Sequence, residues 1–230
     1  QVTETRQTTT SDIANFSAEF MAARFQALRT FSQMSMFSEA KVREATGVAD
    51  RNAFLKQLVD NSPLYEDIAV VDIKGAPVGV SNADGIIANV SQNDWFQQVE
   101  ATRDIVWVQP REPKAGGLEF ALIGAAPIFD TNTGEMVYMV RVRLDVQELK
   151  RRIGEFAAEN TEVALIDANE QIFLTNTEDG AANPILINLP NIVTWLQDRE
   201  PEAKVLNEGA GSQLTAYAPI RHVPNDPQLN

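Results

Sequence analysis

Two stretches of the chain are near copies of each other: IAVVDIKGAPVGVSN from Ile68 to Asn82 and VALIDANEQIFLTNT from Val163 to Thr177. Each is an apolar run, a short polar turn and a second run of strand-forming residues, the pattern of a β-hairpin. A second echo follows in each half. FALIGAAPIF closes at Phe129, and LTAYAPIRH repeats its Ala-Pro-Ile triplet at Ala218, Pro219 and Ile220. Two landmarks in the same order and at nearly the same offset indicate a duplicated unit. The 230 residues therefore read as two strand-rich modules of ordinary domain size rather than one large domain.

Helices precede the first module. From about residue 11 to 46, Ile13, Phe16, Phe20, Ala23, Ala27, Phe31 and Met34 recur at steps of three and four, which predicts one long helix. Thr10, Ser11 or Asp12 is the expected cap and Gly47 the expected stop. Phe25, Leu28, Met36 and Phe37 widen the stripe beyond one face. The helix is thus expected to cover its own domain and also to offer a seam to a second copy. A second helix is predicted around Asp50–Asn61, ended by Asn-Ser-Pro at Pro63.

Strands dominate afterwards. IAVVD is apolar on both faces, so both faces of that strand should be covered. The turn KGAP leads into VGVS, and DWFQQVEAT is a short helix. IVWVQ and LEFALIGAAPIF are strands, and DTNTGE joins the latter to MVYMVRVRL. Along that last strand Tyr138, Val140, Val142 and Leu144 share one face, while Met139, Arg141 and Arg143 share the other. DVQELKRRIGEFAAE follows as a helix. The second copy is thinner, with a single helix expected around Ile192–Asp198.

Composition removes several function classes. With 32 acidic and 19 basic residues the formal charge is −13, which repels phosphate backbones and disfavours nucleic acid. There is no cysteine, so thiol catalysis and disulfides are absent, but this does not separate a reducing compartment from the cell envelope. His222 is the only histidine, which excludes a multi-histidine metal centre. No Ser-His-Asp context is present, and AGGLE lacks the spacing of a phosphate loop. Acidic clusters such as EDG and DREPE match no Ca²⁺-loop pattern and read as solvated loops. Asp72 and Asp167, repeated in the twin hairpins, read as turn residues rather than a catalytic pair. No cofactor and no metal is expected.

The long helix and paired modules resemble the double Cache (dCache) family of bacterial and archaeal extracytoplasmic sensor domains. The residues carrying the resemblance are YEDIAVVDIKGAPVGVSN, DWFQQV, VQPREPKAGGLEFALIGAAPIFD with GEMVYMVRVRLDVQEL, and TEVALIDANEQIFLTN. The resemblance implies an α+β fold, with a long N-terminal helix followed by two tandem PAS-like modules built on antiparallel sheets. The expected division is 1–62 for the N-terminal helices, 63–145 for a membrane-distal, ligand-binding module, 146–160 for a connecting helix and 161–230 for a membrane-proximal module. Both ends of the sequence read as interior phrases, so membrane helices are expected outside it. The implied role is a non-enzymatic ligand sensor of a chemoreceptor, histidine kinase or nucleotide-cyclase-type receptor, dimeric through its first helix.

Amino-acid-binding members of that family carry Arg-x-Trp-Tyr, a Tyr after a Pro in the next strand, and an Asp late in the last strand. By position, Asn93 stands at the Arg, Trp95 at the Trp and Phe96 at the Tyr. Arg111 follows Pro110 at the second Tyr, and Arg143 stands at the Asp. An acid that would meet a ligand ammonium has become a cation, so two arginines suggest an organic acid or other small anion. The candidate ligand-binding residues are Asn93, Trp95, Phe96, Trp107, Gln109, Arg111, Arg141 and Arg143. The rival readings are an amino-acid sensor with a variant pocket and a periplasmic protein-interaction module with no small ligand. A hydrolase lacks any nucleophile–base pair.

Overall fold

The computed structural model describes residues 2–82, 88–114, 117–155, 163–166, 172–175, 202–208 and 211–217. The Ala218–Ile220 echo, Asp167, the clusters EDG and DREPE, the helix expected at 192–198 and His222 lie outside the described residues. The elements in order are α1 (Val2–Ser32), α2 (Ser35–Ser38), α3 (Ala40–Ala45), α4 (Val48–Asp60), β1 (Tyr65–Asp72), β2 (Pro77–Val80) and α5 (Asp94–Thr102). They continue with β3 (Val106–Val108), β4 (Arg111–Lys114), β5 (Gly117–Phe120), β6 (Leu122–Phe129), β7 (Met136–Leu144) and α6 (Val146–Gly154). Four short strands follow: β8 (Ala164–Ile166), β9 (Ile172–Thr175), β10 (Glu202–Glu208) and β11 (Gly211–Tyr217). The fold is α+β.

The chain divides into two compact units, one of Arg24–Leu149 and one of residues 1–23 with 150–230. In the first unit, five strands form an antiparallel sheet in the order β2-β1-β7-β6-β3. Its register assigns every side chain to a face, because directly opposed residues point the same way. Ala69 opposes Arg141, which opposes Ala125; Val70 opposes Val140, which opposes Ala126. The Val70 face is covered by helices: Leu28 of α1 meets Gly124, Phe37 of α2 meets the Tyr138 ring edge-on, and Leu55 of α4 lies over Gly79. The Ala69 face is covered by α5, whose Trp95, Phe96 and Val99 form one core with Ala69, Val71, Val106, Ile123, Ala125 and Met139. Ile68 through Val71 are buried throughout, as an apolar run at every position requires.

In the other unit, Ile13, Ala14, Ala18 and Phe20 are buried on α1, and the Phe16 and Phe20 rings lie 6.1 Å apart. The hairpins β8–β9 and β10–β11 belong to it, and Leu165 and Leu174 are buried.

Two expectations about helices are corrected. The first helix begins at Val2, so Thr10, Ser11 and Asp12 lie inside it rather than at its start. It also stops at Ser32 rather than running to residue 46; Met34 and Glu39 are extended and two short helices follow. Serine side chains compete for the backbone there, with Ser32 Oγ donating to the Arg29 carbonyl and Ser38 Oγ to the Met34 carbonyl. The break drops Phe37 fully into the core. Gly47, the expected stop, instead precedes α4. The strand expected over 118–129 divides at Ala121, and REPK at Arg111–Lys114 is a strand pairing with β5.

Candidate functional site

The hairpin turn between β1 and β2 positions the layer above the sheet. Asp72 Oδ1 accepts the backbone N–H groups of Lys74 and Ala76, both at 2.8 Å, which is the turn role its position implies. Gly75 adopts φ +82°, and its carbonyl accepts Val90 N–H at 2.9 Å. Asn89 Nδ2 donates to the Lys74 carbonyl. The segment leading into α5 is therefore tied to the end of the first hairpin, and α5 is laid across the Ala69 face of the sheet.

Of the sequence candidates, the structure gathers Trp95, Phe96, Arg141 and Arg143 on this side. Trp95 and Phe96 are both buried, with ring centroids 5.8 Å apart in an edge arrangement. Arg141 emerges between Ala69 and Ala125, two small residues that leave room for a guanidinium beneath α5. It is only 7 % exposed. Its Nη2 pairs with Asp67 Oδ1, while its Nε–H has no hydrogen-bond partner. The Trp95 Nε1–H is likewise buried without a partner. A buried donor left unmade costs about 1–3 kcal/mol. Arg51 Nε and Trp107 Nε1 are buried without a partner elsewhere, and what sets the Arg141 and Trp95 donors apart is that both lie on the α5 side of the sheet. Arg143, between Asp67 and Ile123 in the register, donates from Nε to Glu66 Oε2 at 2.7 Å.

The remaining candidates are placed otherwise. Trp107 points to the opposite face, where its ring and Leu28 crowd Gly124. Asn93 is exposed and precedes α5, its carbonyl accepting the Phe96 and Gln97 N–H groups. Gln109 is exposed after β3, and Arg111 begins the β4–β5 hairpin. Among the described residues no His, Asp and Glu group has the clustering of a metal site.

Sequence reasoning missed Glu66 and Asp67. Tyr65 opposes Leu144 and Asp67 opposes Arg143, so β1 spends two steps where β7 spends one. Glu66 is the extra residue of a β-bulge. The bulge resets the alternation: Tyr65 faces α1, against Phe31 and Arg24, and Asp67 faces the arginines. The available signal was the complementarity of Glu-Asp before one apolar strand and Arg-x-Arg within another. The neighbouring Tyr65 phenol is pushed above its ordinary pKa by burial, which outweighs the lowering effect of Arg24.

No family model matches the chain, and no curated protein matches it. Solved structures do. The extracellular domain of rpHK1S-Z16, described as a histidine kinase, superposes with a TM-score of 0.69 at 13% identity, covering 93% of this chain and 87% of that one. The ligand-binding domain of the Pseudomonas aeruginosa PAO1 amino acid chemoreceptor PctC, solved with GABA, gives 0.65 at 12% identity over 94% and 92% of the two chains. The ligand-binding domain of the Campylobacter jejuni chemoreceptor Tlp3, solved with 4-methylisoleucine, gives 0.64 at 13% identity over 92% and 83%. The chain thus has the fold of the Cache-type sensor domains of chemoreceptors and histidine kinases.

Proposed function

We propose that this chain is the extracytoplasmic sensor region of a transmembrane signalling receptor, and that it binds a small carboxylate-bearing molecule between α5 and the central sheet without chemistry of its own. One observation carries the reading: the nearly buried guanidinium of Arg141 keeps its Nε–H unspent in the layer that also holds the unpaired Trp95 indole N–H. A carboxylate bridging the guanidinium and the indole would make strong charge-assisted bonds in such a dry layer. Phe96 and Val99 supply the apolar wall. The fold neighbours support the class, since GABA and 4-methylisoleucine, with which two of them were solved, each carry a carboxylate. Among the described residues no helix is long and apolar enough to cross a membrane. Two copies pairing along α1 would relay the signal, a ligand biasing two arrangements of the sheet and helix through its differential affinity.

The test is a thermal-shift screen of organic acids and amino acids against the wild type and Arg141→Lys. Lysine keeps the cation beside Asp67 but removes the Nε–H and the planar fork. Compounds that stabilise the wild type are expected to bind Arg141→Lys about tenfold to hundredfold more weakly, the loss of one charged hydrogen bond. Equal binding to both proteins refutes the site.

A further inference from the structure

Each arginine on the α5 side of the sheet already faces an acid. Asp67, 7 % exposed, holds Arg141, and Glu66, on the bulge, holds Arg143. The formal charge of these four side chains is zero, whereas a straight β1 strand would not have turned both Glu66 and Asp67 toward them. Arg141 and Arg143 stand two apart on β7, and the bulge sets two consecutive acids of β1 against them. Bulges re-aim side chains in this way.

We infer that Asp67 is the specificity-determining residue of this site: by neutralising Arg141 in advance, it admits a carboxylate accompanied by a positive group and turns away molecules with a second, uncompensated negative charge. The inference rests on the proposed ligand site and adds a charge filter to it. Asp67 is nearly buried and cannot swing into solvent to vacate Arg141, so its charge stays in the layer when a ligand enters. There it repels a second carboxylate through a medium of low effective dielectric. A ligand ammonium experiences the opposite sign. Glu66 is 49 % exposed at its side chain and contributes the same effect weakened by solvent. Specificity of this kind comes from what the site refuses as much as from what it holds.

Matched probes test it: the ω-amino acids of two to six carbons against the α,ω-dicarboxylates of equal length, titrated by calorimetry into the wild type, Asp67→Asn and Glu66→Gln. The wild type should prefer the amino acid of at least one pair by tenfold or more. Asp67→Asn should reverse that preference, gaining tenfold or more for the dicarboxylate, and Glu66→Gln should shift it in the same direction by a smaller factor. Glu66→Gln removes an acid that is 49 % exposed; should Asp67→Asn not fold, a wild type that binds both series without preference overturns the filter by itself. An unchanged preference in the variants overturns the charge filter and leaves the ligand site standing. If no member of either series, nor any compound of the wider acid and amino-acid screen, binds wild type or variants, the ligand site falls and the filter with it.

Discussion

Asp130 follows β6 and holds the turn into β7 by accepting the Asn132 and Thr133 N–H groups with one oxygen and Arg43 Nη2 at 2.8 Å with the other. Arg43 in turn lies over the Tyr138 ring, so one carboxylate joins the α3 helix to the β6–β7 hairpin. The Arg43 hydrogen bond and then the two backbone donors hold its pKa below the ordinary carboxylate value. A lowered folded-state pKa means that the stabilisation is complete above the unfolded-state value and is lost as the pH falls through the folded-state one. The difference in urea midpoint between wild type and Asp130→Asn is therefore expected to stay constant from pH 7 to about pH 4 and to close at lower pH. A difference that persists into strong acid would contradict this. The residue scale also shows what single letters conceal. Asp130 and Asp72 are turn residues that spacing reveals, whereas Asp67 becomes a site residue only because a bulge precedes it.

β6 is tightly covered by the helix beside it. At Gly124 a side-chain carbon would stand 2.6 Å from Leu28 Cδ1 and 2.7 Å from the Trp107 ring, so α1 and the edge strand β3 both rely on the missing group. Gly124→Ala is expected to cost about 1–3 kcal/mol by overpacking, read as a lowered urea midpoint with an unchanged slope. If the variant is as stable as the wild type, Leu28 and Trp107 do not press on this strand as described. Elements with strict periodicity were legible in the letters: α5 and β7 have the bounds their patterns indicate, and the alternation of β7 correctly separates its arginines from its valines. The end of α1 was not legible, because its helical stripe continues past the point where Ser32 and Ser38 turn the backbone. REPK does not read as a strand because neither its charges nor its proline forms an alternating pattern.

At the scale of the whole molecule, all candidate site residues and the five-stranded sheet lie within Arg24–Leu149. A fragment of those residues is expected to unfold in one cooperative thermal transition and to bind the ligands of the full chain within about threefold, a difference under 1 kcal/mol. Circular dichroism and calorimetry check both; a fragment without a cooperative transition would show that this unit depends on the rest. The α+β class and the face of β7 that carries arginines were determined by the sequence alone, since they depend on local periodicity. Tertiary structure decided the site's membership and its charge. It sent Trp107 to the α1 side of the sheet and supplied Asp67 and Glu66 to the arginines, because register between strands distant in sequence is set by pairing and packing that no single stretch encodes.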